Sequence, residues 1–309
     1  MKWNIEIKRN SKNEIVTTFD EFVNGVLLVQ EGHRLGYHHL TTWSTLCKML
    51  EPVNVPGDKK QHRMFHLGAA AHMNDISDAK CGKNVYFSSF SFGPPENISM
   101  WTNYGIPNPE AIRIRFTSGS FMLWKKKFEK GEIGVFGVSK NGQLERINEL
   151  PELKFVDVAY WSKREKGWKK DDEDEGLFFY DHDRFKITDR KGLVKRMEKM
   201  PYLFKEYGWS YERETRIVLI FNEPMADRYS RIAVEFDGPI NNLEKNFNEY
   251  VTRGPWYSEE KSPKTLANGH SLSEAKMSRY QDKVKMRSVC DLCAADIKTT
   301  CKCPFKGQR

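Results

Sequence analysis

The feature that most constrains this chain is a series of short runs alternating in hydrophobicity with period two, set among helical stretches that never settle into a strand–helix–strand rhythm. AIRIRF, residues 111–116, alternates strictly and predicts a half-buried strand. NVYFSSFSF, 84–92, reads the same way and is closed by Gly93, Pro94 and Pro95. Further strands are expected over LGYHHL (35–40), 154–161, 209–221 and 231–236. Helices are expected over FDEFVNGVLL (19–28), over WSTLCKMLE with Thr41, Thr42 or Ser44 as its cap, over NISMWTNYG ending at Gly105, and over about 273–286. VNVPGDKKQHR, with its Pro-Gly and its charge, reads as a loop. Such a mixture predicts an α+β fold and argues against a doubly wound parallel sheet.

At 309 residues the chain is long enough to bury a full core. Its 8 Trp and 19 Phe exclude a solvating, disordered composition. Fifty Lys and Arg against 42 Asp and Glu leave a formal charge of +8, which favours acidic partners such as RNA or DNA. The opening MKWNIEIKRN has no apolar core of a signal peptide, and no apolar run approaches the roughly 18 residues of a membrane helix. Cys47 and Cys81 stand alone, while the other four cysteines crowd into the last twenty residues, so no disulfide framework spans the fold. A cytoplasmic protein is expected, with a main domain over 1–254 and a basic extension over 255–309.

Three polar groups stand out. If WSYERETRIVLIF, 209–221, is one strand, Glu212, Glu214 and Arg216 share a face, with the carboxylates about 7 Å apart. That pattern fits a ladder in which Arg216 neutralises Glu214, or a pair of catalytic carboxylates. In YHHLTT, His39 and Thr41 share a strand face, with His38 packed or exposed on the other. In YFSSFS, Ser89 and Ser91 alternate with aromatics, ahead of a helical MWTNY that spaces Trp101 and Tyr104 three apart.

Taken in order, "HMND", "YFSSFS…MWTNYG" and "WSYERETR" resemble a bacterial family similar to ADP-ribosyltransferases, some of whose members look like RNA-modifying toxins of phage-defence toxin–antitoxin systems. The resemblance spans about 35–221. It implies a split β-sandwich with flanking helices, NAD as co-substrate, RNA as acceptor and an antitoxin protein as partner; a protein side chain as acceptor, or an inactive module of the same fold, are the alternatives. Cleaving the nicotinamide N-glycosidic bond develops an oxocarbenium-like ribose, which a fixed carboxylate stabilises. By resemblance Glu214 takes that role and Glu212 faces the incoming nucleophile. His39 and Thr41 would bond the adenosine ribose or the nicotinamide amide, Ser89 and Ser91 would brace Glu214 or the nicotinamide ribose, and Tyr104 or Trp101 would offer a flat face to nicotinamide. The sequence departs from the family at Asn74-Asp75, which Ile76, Ser77 and Asp78 follow in place of proline and an acid.

Near the C-terminus, Cys290, Cys293, Cys301 and Cys303 form a C-x2-C-x7-C-x-C array. Four thiolates suit one structural zinc, and the spacing leaves that reading and an unliganded tail equally open. The basic, aromatic run WSKREKGWKK (161–170) and the tail are the expected RNA-facing surfaces.

Overall fold

The computed structural model describes residues 3–28, 36–73, 81–92, 98–101, 103, 110–161 and 177–255, apart from 56, 182 and 190, together with 257, 265, 269 and 275–278. Asn74, Asp75, Tyr104, the run 162–176 and all four tail cysteines lie outside these residues.

The strands, in chain order, are β1 (Ile15–Thr17), β2 (Tyr37–Thr42), β3 (Val53–Asn54), β4 (Gln61–His62), β5 (Met64–Ala69), β6 (Val85–Ser91), β7 (Ala111–Phe116), β8 (Val135–Val138) and β9 (Leu144–Arg146). The second half adds β10 (Glu152–Asp157), β11 (Ala159–Trp161), β12 (Leu177–Tyr180), β13 (Asp183–Ile187), β14 (Phe204–Glu206), β15 (Glu214–Ile220), β16 (Arg231–Glu235), β17 (Val251–Arg253) and β18 (Lys276–Met277). With the helices among them, this is the mixed α+β architecture expected.

Two sheets dominate. The larger has eleven strands among the described residues, and its organising element is β6. Along one edge β6 pairs with β15 over its whole length, from Glu214 opposite Ser91 to Ile220 opposite Val85. The other edge is shared: β2 joins only at His38–Ser91, and β5 only at Gly68–Phe87 and Ala69–Tyr86. The sheet therefore forks, one branch running β2–β7–β17–β18 and the other β5–β16–β8–β9. Among the described residues, Ser88, Ser89 and Phe90 are left in the fork with no strand partner on that edge.

A smaller sheet runs in the order β1–β13–β12–β11–β14, and its Phe178, Phe185 and Phe204 share one core with Val85, Phe87 and Val218 of the central β6–β15 pair. Burial on both sides explains why β15 reads as a continuous apolar run after its polar start. Ile217 and Leu219 enter the core beneath the helices Trp43–Leu50, Ser118–Glu129 and Asp237–Lys245, whereas Val218 enters the core shared with Phe22, Phe178 and Phe185 of the small-sheet side. The chain changes sheets at Val158. Residues 154–161, expected as one strand, are two: β10 belongs to the large sheet and β11 to the small one.

Other expectations are corrected locally. Tyr207–Glu212 is a 3-10 turn, and the strand begins only at Glu214, because Arg213 adopts a left-handed conformation at φ 46°. The loop before β5 contains the small hairpin β3–β4. The stretch 19–28 starts as a helix under a capping box of Thr18 and Glu21, then widens into a π turn over Val23–Leu27. Within the helix expected near 273–286, the described residues 276 and 277 instead form the edge strand β18 against β17, with Ala275 buried in the main core. Thr42 caps the helix Trp43–Leu50, its hydroxyl accepting from the Thr45 N–H, which settles the choice among three capping candidates.

Candidate active site at the fork of the sheet

The fork in β6 opens a cavity of about 580 Å³, whose walls include His38, His39, Ser89, Ser91, Glu212 and Glu214. Six residues singled out in the sequence thus meet in one place. Thr41 does not line it; it continues β2 opposite Ile112. Trp101 is fully buried and packs near Gly254, so it is a core residue.

Glu214 is held from every side. Ser89 Oγ donates a short hydrogen bond to Oε1, and Arg216 donates to both oxygens, Nε to Oε1 at 2.6 Å and Nη2 to Oε2 at 3.2 Å. Its backbone is fixed as well: the Glu214 N–H donates to the Tyr160 hydroxyl at 2.9 Å, and its carbonyl accepts from Val158 N at 2.9 Å. Burial alone would raise the Glu214 carboxyl, but Arg216, Lys205 and the hydrogen bonds of Arg216 and Ser89 outweigh it and hold it at about 2. Arg216 does pair with Glu214, but the pair is buried and beside a cavity, not facing solvent.

Glu212 reaches the site from the 3-10 turn, not from the strand. The shared strand face expected for the two carboxylates is replaced by a bridge: Lys205 Nζ lies 2.9 Å from Glu212 Oε2 and 2.9 Å from Glu214 Oε2. All three side chains are at most 8% exposed. Lys205 belongs to β14 and is the register partner of Tyr160 on β11, so the small sheet presents both to Glu214. Neither residue was singled out by the sequence. The signal that could have found Lys205 is its place in FKEYGWSYERE, seven residues before Glu212, a separation that points nowhere until the turn folds back.

The histidines differ in partner. His39 Nδ1 sits 3.0 Å from the Ser89 carbonyl, which can only accept, so Nδ1 carries the proton. Burial keeps this imidazole below its ordinary range, the Ser89 bond opposing it, so Nε2 remains an unprotonated acceptor at neutral pH. The ring is steadied edge-on against Phe65 and packs near Phe90. His38 shares the face of Ser91 and is driven to about 3 by burial and by Arg113 and Arg115. Ser91 contributes a long hydroxyl contact, 3.5 Å, to the His38 carbonyl.

At the cavity wall Trp209 is 39% exposed, with the Lys205 ammonium 5.6 Å from its ring centre. As for metals, among the described residues Asp58, His62 and Glu235 bring ligand atoms within 4.8 Å of one another. His62 is already engaged by Asp58 at 3.0 Å and Asp237 at 2.8 Å, so the group is accounted for as a charge network. Among the described residues, no helix is long and apolar enough to cross a membrane. No family model, curated protein or solved structure matches the chain.

Proposed function

We propose that the protein is an NAD-dependent mono-ADP-ribosyltransferase with a split β-sandwich core, acting on RNA as a toxin-like enzyme of phage defence. The observation that carries this reading is the buried, ionised Glu214, braced by Ser89 at the wall of a cavity that also admits Glu212 and a neutral His39. A fixed anion in such a recess is what an oxocarbenium-like ribose requires, and removing one such electrostatic group typically costs about 10²- to 10³-fold in rate. The volume of about 580 Å³ lies in the range of cofactor pockets. Glu212 is placed to orient or deprotonate an acceptor, and His39 Nε2 offers an acceptor to an amide or a ribose hydroxyl.

One observation favours a non-catalytic module of the same fold. Glu214 already receives four donors, from Ser89, twice from Arg216, and from Lys205, which is about the capacity of a carboxylate. A ribose hydroxyl must therefore displace one of them. Incubation with labelled NAD and total cell lysate, followed by separation of RNA, DNA and protein, distinguishes the readings. Label on RNA, lost by at least about 10²-fold in Glu214→Gln, supports the proposal. Label on protein gives the acceptor to a side chain. Binding of NAD without turnover leaves the module, and indifference to NAD overturns the reading altogether.

A further inference from the structure

Resting on that reading, the geometry points to Lys205 as a positioning residue that latches the acceptor-side carboxylate, Glu212, to the donor-side carboxylate, Glu214. Its ammonium is 2.9 Å from an oxygen of each, and it arrives from β14, a strand of the other sheet. Glu214 has independent support from Arg216 and Ser89 on its side chain and from Tyr160 and Val158 on its backbone. Glu212 is placed differently. It ends a 3-10 turn followed by the left-handed Arg213, and its carboxylate is tied to the body of the protein through Lys205. Two buried carboxylates this close repel unless a cation lies between them, and the ammonium between Glu212 and Glu214 offsets that repulsion at the cavity wall.

The arrangement also answers the saturation of Glu214. Lysine carries a point charge on a flexible stem, so when a ribose hydroxyl takes Oε2 of Glu214 the ammonium can release that oxygen and keep its hold on Glu212. Arg216 is tied to both Glu214 oxygens at once and lacks this freedom. Lys205 therefore acts through Glu212, and its loss is felt by transfer to the acceptor more than by hydrolysis of NAD.

The test is a double-mutant cycle on the full chain with Lys205→Met, Glu212→Gln and the pair, reading transfer to the lysate fraction that accepts label and NAD hydrolysis side by side. A displacement of about 1 Å of a reacting group costs up to about 10²-fold, so Lys205→Met is expected to lower transfer at least about tenfold more than hydrolysis. In the Glu212→Gln background the same change should have no further effect on the ratio. Equal loss of transfer and hydrolysis, or a loss that multiplies with Glu212→Gln, overturns the inference. If Lys205→Met does not fold, Lys205→Arg carries the cycle: it keeps the charge but replaces a point ammonium with a larger planar fork, which resets the position of Glu212, and the ratio falls in the wild-type background alone. Wild-type protein inert toward NAD overturns the proposed function and this inference with it, whereas an active wild type with an unshifted ratio overturns the latch alone.

Discussion

Glutamine at position 214 keeps the shape of the side chain and removes its charge, and with it the buried ion pairs to Arg216 and Lys205. The Glu214 carboxyl is held at about 2 against an ordinary 4.5, burial opposing and Arg216 and Lys205 prevailing. At about 1.4 kcal/mol per pH unit, the difference corresponds to about 3 kcal/mol of native stability. Because the folded value is the lower one, this contribution is complete above about 4.5 and is lost as the pH falls through about 2. The change also leaves Arg216, with none of its side chain exposed, facing a neutral amide, and breaking a buried pair costs about 3 to 5 kcal/mol. Urea unfolding at pH 7, followed by tryptophan fluorescence, should show Glu214→Gln destabilised by about 3 kcal/mol. Repeated at successively lower pH, the gap from wild type should narrow below 4.5. A gap under about 1 kcal/mol at pH 7, or one independent of pH down to the acid limit of the native state, would refute the claim that this carboxylate is ionised and paired.

Arg213, at φ 46° and joined to Asp181, should be less tolerant of alanine than of glycine: both lose the ion pair, but only alanine retains the left-handed strain, so Arg213→Gly should be the more stable by about 1 kcal/mol in thermal unfolding, and parity would dismiss the strain. His39→Phe preserves the ring packing on Phe65 and Phe90 while removing the Ser89 bond and Nε2; calorimetry with a non-hydrolysable NAD analogue should find it weakened by about tenfold, and a larger loss in His38→Phe would transfer the contact to the neighbouring imidazole. With RNA as acceptor, transfer should fall steeply between about 50 and 200 mM salt while NAD hydrolysis stays nearly level, and a salt-indifferent transfer would exclude a phosphate-binding surface.

What the sequence made legible follows from where local rules apply. β7 coincides with AIRIRF, 111–116, because one face of that strand is buried and the period is undisturbed. β6 and the Thr42-capped helix are found for the same kind of reason. The start of β15 is where reading by alternation fails: the spacing of Glu212, Glu214 and Arg216 does not announce that Arg213 turns left-handed, since arginine rarely does so. The two glutamates are visible in the sequence, but what relates them is a lysine bridge and not the strand spacing that alternation implies. Lys205 and Tyr160 were invisible for a deeper reason. Their part in the site depends on the pairing of β11 with β14, and on the core that the small sheet shares with β6 and β15, neither of which leaves a trace at short range.

The passage of the chain from one sheet to the other at Val158 makes the distance between the layers a chemical variable. Ser89, Glu214 and Arg216 ride on the large sheet, while Tyr160 and Lys205 ride on the small one, and the carbonyl of Glu214 accepts from the residue at which the chain crosses. The apolar filling between the layers, with Phe22, Phe178 and Phe185 among its members, thus acts as a spacer for the polar groups beside it. Trimming Phe178 to leucine would alter no charge and no hydrogen-bond donor, yet it would change how firmly an ammonium on one sheet presses against a carboxylate on the other. The thickness of that hydrocarbon layer thus sets the reach between the ionisable groups of the two sheets.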